Sequence, residues 1–91
     1  MPQLDLSIDN PQALQILKAL ASETRFALLQ KLGNKLSVGE LAEKLNQTEA
    51  NVSAQIKILE KAGLVTSNYV IGHHGVKKIV ELVVNTISIT L

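Results

Sequence analysis

Between Ser37 and Gly63 two helix signals stand so close together that a tight helix pair is the natural way to satisfy both. Ser37-Val38-Gly39-Glu40 is a capping-box pattern, in which the serine oxygen accepts from the glutamate N–H and the glutamate reaches back to the serine N–H. Val38, Leu41, Ala42 and Leu45 follow at i, i+3, i+4 and i+7, the spacing of a short amphipathic helix of about two turns. Asn46-Gln47-Thr48 is a polar break. Thr48 can cap a second helix, with Val52, Ile56 and Leu59 as its buried stripe and Gly63 as its end. A short helix at 37–45 bracing a longer one at 48–62 is the layout of a helix-turn-helix, whose second helix enters the major groove of DNA.

The flanking segments fit around this pair. Leu4, Leu6 and Ile8 alternate with Asp5, Ser7 and Asp9, which predicts an edge strand. Asn10-Pro11 starts a first helix, with Ala13, Ile16, Leu17 and Leu20 at helical spacing. Ser22 caps a second, where Glu23 complements the dipole and Phe26, Leu28, Leu29 and Leu32 form the apolar side. Gly33 is expected to end it in a left-handed conformation. Beyond Gly63 the segment Leu64 to Ile71 is rich in strand formers, Gly72-His73-His74-Gly75 reads as a turn, and Val76 to Val84 is β-branched again. Thr86 to Leu91 alternates without exception. The reading is one α+β domain over 1–91: about four helices, a β-hairpin wing and short terminal strands.

Ninety-one residues leave room for one core. Such a chain buries only about 60 to 65% of its unfolded surface. With Phe26 and Tyr69 the only aromatics, that core must be aliphatic, and the surplus of aliphatics favours an oligomer. The absence of cysteine excludes disulfides and thiolate metal sites. Met1-Pro2-Gln3-Leu4-Asp5-Leu6 does not read as a signal peptide and no long apolar run suggests a membrane span, so a cytoplasmic protein is expected. Net charge is only +1, so the placement of charge matters more than its sum.

Counting about 100° per residue from Val52, the side of the second helix opposite its buried stripe carries Ala50, Ser53, Ala54, Lys57 and Lys61. Small residues there let the backbone approach bases, and lysines suit phosphates. Thr48 and Glu49 stand at the front, where a carboxylate complements the dipole and can accept from cytosine N4. Asn51 and Gln55 lie on the flanks, placed to read adenine or bond a phosphate. In the turn and second strand of the hairpin, His73, His74, Lys77 and Lys78 form a cationic tip without a nearby acid, suited to a backbone or the minor groove.

The plainer alternative is a solvated helix face and an ordinary hairpin. Adjacent histidines on a strand point to opposite faces, which argues against a metal. No glycine-rich phosphate loop or orienting carboxylate is evident, so neither an enzyme nor a cofactor is expected. The competing function is a winged-helix module that binds protein, a use the fold also serves.

Leu17-Lys18-Ala19-Leu20-Ala21-Ser22-Glu23-Thr24-Arg25-Phe26-Ala27-Leu28-Leu29 resembles the opening of the ArsR-like winged-helix regulators. Leu36 to Ala42 and Asn51 to Val65 resemble the same family's helix-turn-helix and the start of its wing. The resemblance covers roughly residues 13–80. It implies a homodimer on a pseudo-palindromic double-stranded operator, usually as a repressor. Three differences limit it. Where the family's metal sensors carry cysteines this chain has Ser37 and Gly39, so that site is absent. Where many members have histidines in the recognition helix it has Ala54 and Gln55. Where many dimerise through a C-terminal helix it has a β-type segment. The stripes Leu4-Leu6-Ile8 and Ile87-Ile89-Leu91 can pair as strands, within one subunit or across two, with the first helix and Ile58 as further candidate interface; the alternative is that these residues only complete the core of one subunit. No effector is suggested by the sequence.

Overall fold

The computed structural model describes residues 3–91; Met1 and Pro2, part of the amino-terminal stretch read above as no signal peptide, lie outside the described residues. The order is β1 (Gln3–Ser7), α1 (Pro11–Leu20), α2 (Glu23–Lys31), β2 (Leu36–Ser37), α3 (Val38–Leu45), α4 (Glu49–Lys61), β3 (Val65–Gly72), β4 (Gly75–Leu82) and β5 (Thr86–Thr90).

Each helix begins at a side-chain oxygen. Asn10 accepts from Gln12 N at 3.0 Å, Ser22 from Arg25 N at 3.3 Å, Ser37 from Glu40 N at 3.1 Å and Thr48 from Asn51 N at 3.1 Å. The capping box at α3 is complete, because Glu40 Oε1 accepts from Ser37 N at 3.1 Å. The Ser37 backbone N–H, and after it the Ser37 hydroxyl, hold the Glu40 carboxyl below its ordinary range. A carboxylate lowered on folding adds stability above its unfolded pKa, and that stability disappears as the pH falls through the folded value. Glu40→Gln is therefore expected to melt below the parent protein at neutral pH, with the gap closing on acidification through the carboxylate range. Thermal melts followed by circular dichroism check this, and a gap that is constant with pH contradicts it.

The ends of the helices differ from one another. Asn46, at φ 53°, ends α3 in the left-handed region, which a short polar side chain tolerates. Gln47 N then donates back to Ala42 O at 2.9 Å, so the turn into α4 is as tight as its three polar residues suggest. Gly63, at φ 79°, closes α4 while Leu64 N donates to Leu59 O at 3.0 Å, a Schellman-type end. Gly33 does not do the same for α2. There Leu32 N donates to Leu29 O at 3.2 Å, so the last turn tightens by a short-range bond and no left-handed residue is needed.

Ile16, Leu28, Leu41, Val52, Ile56, Leu59, Leu64 and Val80 are fully buried, so the core joins every helix to the wing. Leu17 and Phe26, assigned to buried stripes by spacing, are instead 42% and 54% exposed. Each lies at the margin of an apolar stripe too wide for one small core to cover.

The wing is an antiparallel hairpin pairing Val65 with Leu82 through Gly72 with Gly75, closed by the two-residue loop His73-His74. β2 joins its other side, pairing Leu36 with Val80 and Ser37 with Ile79, so the sheet order is β2-β4-β3. Two residues are too few for an alternation to reveal, and β2 has no counterpart in the sequence reading. The terminal segments pair in parallel within one chain, Leu4 beside Ile87 and Leu6 beside Ile89. Leu4, Leu6, Ile87 and Ile89 pack on the core, while Ile8 and Leu91 of the same stripes stay exposed, and Gln3, Asp5, Ser7, Thr86, Ser88 and Thr90 occupy the other face.

Candidate nucleic-acid interface

The buried stripe of α4 is Val52, Ile56 and Leu59, as its spacing requires. That fixes the opposite side outward. Thr48, Glu49, Ala50, Ala54, Lys57 and Lys61 are exposed and Ser53 is half-buried. The N-terminal half presents small side chains and the C-terminal half lysines.

A groove of about 640 Å³ separates this half of α4 from the wing and the start of α3, with Ser53, Glu49, Gly39, Tyr69, Val76 and Lys77 among its lining residues. The hairpin thus stands beside the recognition helix, with His73, His74 and Lys77 exposed. Lys78 is not a free cation. Its ammonium lies 3.3 Å from Glu60 Oε1 and its side chain is only 19% exposed, so it fastens the wing to α4. Lysines 77 and 78 both line the groove, Lys78 held there by Glu60 and Lys77 exposed.

Acids share the groove. Glu40 and Glu43 line it from α3 and Glu49 from α4, beside Lys77 and Lys78 from the wing. The upper wing is also more apolar than its histidines and lysines suggested. Tyr69, Ile71 and Val76 are 72%, 86% and 66% exposed.

The flanking amides are engaged inside the chain. Arg25 Nη1 donates to Gln55 Oε1 at 2.8 Å, Gln55 Nε2 to Asn51 Oδ1 at 3.3 Å, and Asn51 Nδ2 to Gln47 Oε1 at 2.8 Å. Arg25 itself is anchored through Nε to Ala19 O at 2.7 Å and through Nη2 to Lys18 O at 3.2 Å. One guanidinium therefore ties the end of α1 to the middle of α4, and Asn51 and Gln55 form an ordered row rather than two independent readers. The sequence reading assigned Arg25 no role. Its partner is thirty positions away, beyond the reach of local spacing.

Among the described residues no three His, Cys, Asp or Glu side chains are grouped closely enough to hold a metal ion, and no helix is long and apolar enough to cross a membrane.

Comparison with known proteins agrees with this geometry. A model of the helix-turn-helix domain matches residues 20–68. The chain is 41% identical over 59 residues to the uncharacterised HTH-type transcriptional regulator YceK of Bacillus subtilis, a match spanning 62% of this chain and 59% of that one. It is 31% identical over 86 residues to the transcriptional activator HlyU of Vibrio cholerae, spanning 86% of this chain and 80% of HlyU. The HlyU structure superposes with a TM-score of 0.65 at 32% identity, over 78% of this chain and 74% of that one. The fold is shared too by Mb0332 of Mycobacterium bovis, described as a homodimeric winged helix-turn-helix DNA-binding domain and a possible ArsR-family regulator. There the TM-score is 0.69 at 24% identity, covering 78% and 63% of the two chains. With the capped helix pair, the hairpin beside it and these relatives in agreement, the chain belongs to the ArsR-like family of winged helix-turn-helix transcriptional regulators.

Proposed function

We propose that this protein binds double-stranded DNA sequence-specifically as a homodimer in the cytoplasm, without catalysis, and represses transcription by occupying its operator. One observation carries the reading: α4 turns Ala50, Ala54, Lys57 and Lys61 to solvent while Ser53 and Lys77 line the groove between it and the wing. In this reading the small side chains of α4 lie along base edges in the major groove, and Lys57 and Lys61 meet phosphates. Thr48, Glu49, Asn51 and Gln55 fix or read the front of that helix, the amides through the N–H groups their internal row leaves free. His73, His74 and Lys77 follow the backbone or the neighbouring minor groove, and Lys78 positions the wing through Glu60. The homodimeric state of Mb0332 and the regulator names of YceK and HlyU support the reading, although HlyU bears the name of an activator. Two copies would present their recognition helices about 34 Å apart, one turn of the duplex.

Selection of bound sequences from a random duplex pool tests the proposal directly. Lys57→Ala and Lys77→Ala are expected to weaken binding to every selected sequence alike, by roughly 1 kcal/mol each. Such a loss fits an exposed cation facing a phosphate, which positions without specifying. Ser53→Ala and Ala54→Ser are expected to change which sequences are selected. A protein that selects nothing and ignores DNA at moderate salt would instead be a protein-binding module.

A further inference from the structure

The β1–β5 ribbon has two outer edges, and only one of them is guarded. Ile8 N donates to Thr90 O at 2.8 Å, which turns the backbone of Thr90 toward β1. Because N–H and C=O groups alternate sides along a strand, Thr86 and Ser88 also face β1, and Ile87 and Ile89 present theirs outward. Neither has a backbone partner among the described residues. The edge of β1 is protected by Asp5, whose carboxylate accepts from Gln3 at 2.7 Å, and by the turn in which Asn10 N donates to Ser7 O at 2.9 Å. The edge of β5 has no such protection. No charged residue and no proline occurs anywhere from Leu82 to Leu91. Open strand edges pair with other strands unless charge, proline or a bulge prevents it.

A second observation lies beside this edge. Leu20, Leu29, Leu64, Leu82, Val84 and Ile87, with Asn85 at the strand end, surround an apolar cavity of about 230 Å³. Leu91, the residue after β5 and in phase with Ile87 and Ile89 if the alternation continues, is 95% exposed and does not fill it.

The geometry points to β5 as the dimer seam, pairing antiparallel with β5 of a second copy about a two-fold axis at Ser88. This rests on the homodimer reading above and specifies its surface. In that register Ile87 faces Ile89 of the partner subunit and both exchange backbone hydrogen bonds. Thr86 faces Thr90 of the partner subunit, and Asn85 faces Leu91 of the partner subunit. The exposed leucine of each copy is thereby brought to the mouth of the other's apolar cavity. The chain passes from the base of the wing at Leu82 through three residues into β5, so the seam lies at the far end of β4 from the wing tip. Eight strand residues separate the two ends by about 25 Å, leaving both tips outboard.

Cysteine cross-linking tests the register in a chain that has no native cysteine. Ser88 lies on the solvent face and pairs with itself at a non-hydrogen-bonded position. The Cα atoms there are about 4.5 Å apart, within disulfide range. Ser88→Cys is expected to give a covalent dimer under mild oxidation. Thr86→Cys, whose counterpart would be about 13 Å away, should not. Leu91→Ser should raise the dimer dissociation constant at least about tenfold by removing an apolar plug from each copy. A dimer by light scattering in which Ser88→Cys fails to cross-link, or cross-links no better than Thr86→Cys, overturns the seam but leaves the homodimer standing. A monomer at the concentrations where DNA is bound overturns both.

Discussion

Affinity for duplex DNA should fall about a thousandfold when salt rises from 50 to 200 mM. Lys57, Lys61 and Lys77 are the exposed cations of the proposed face, and two copies would bring them against about six phosphates. Each neutralised phosphate releases a condensed counterion, and binding then weakens with nearly the sixth power of salt concentration. The steepness comes from a few well-placed lysines on a chain whose net charge is only +1. Fluorescence anisotropy across a salt series gives the slope, and Lys57→Ala should reduce it by nearly two in a symmetric dimer. A flat dependence would remove the lysine face from the interface altogether.

Arg25→Ala should cost about 2–3 kcal/mol of folding stability and lower the melting temperature by more than about 10 °C in a domain of this size. The arginine is half-buried, and its loss leaves the Ala19 and Lys18 carbonyls and the Gln55 amide without their shared donor. Arg25→Lys should recover little, because one ammonium cannot span three acceptors on two helices as a planar guanidinium does. Affinity should also fall, since the Gln47-Asn51-Gln55 row loses the end that fixes it. An Arg25→Ala protein that melts with the parent would show the network to be incidental.

These two residues also mark what the sequence could reveal. Lys57 is legible because helical periodicity alone puts it opposite Val52, Ile56 and Leu59. The four caps and the end of α4 at Gly63 are legible for the same local reason, each being settled within a few residues. Arg25 is not, because its partners belong to other helices. Lys78 and Glu60 form an ion pair only once the hairpin folds back along α4, so a lysine counted with the cationic tip became a strut. Gly33 misled because a glycine after a helix is a common left-handed end and not a required one. The parallel pairing of β1 with β5 could not be separated from pairing across two copies, since alternation gives a strand its faces but not its neighbour.

Ser37 caps α3 and, as the last residue of β2, also pairs with Ile79 of β4. A single residue therefore serves as the joint where the brace of the recognition helix meets the root of the hairpin. The brace of α4 and the root of the hairpin are thus linked through the backbone of one residue, so a shift of α3 would be felt at the base of the wing. In the proposed complex that link would set the spacing of α4 and the hairpin root, so part of any mismatch in groove width would fall on the duplex and favour flexible pyrimidine–purine steps, even at base pairs no side chain touches.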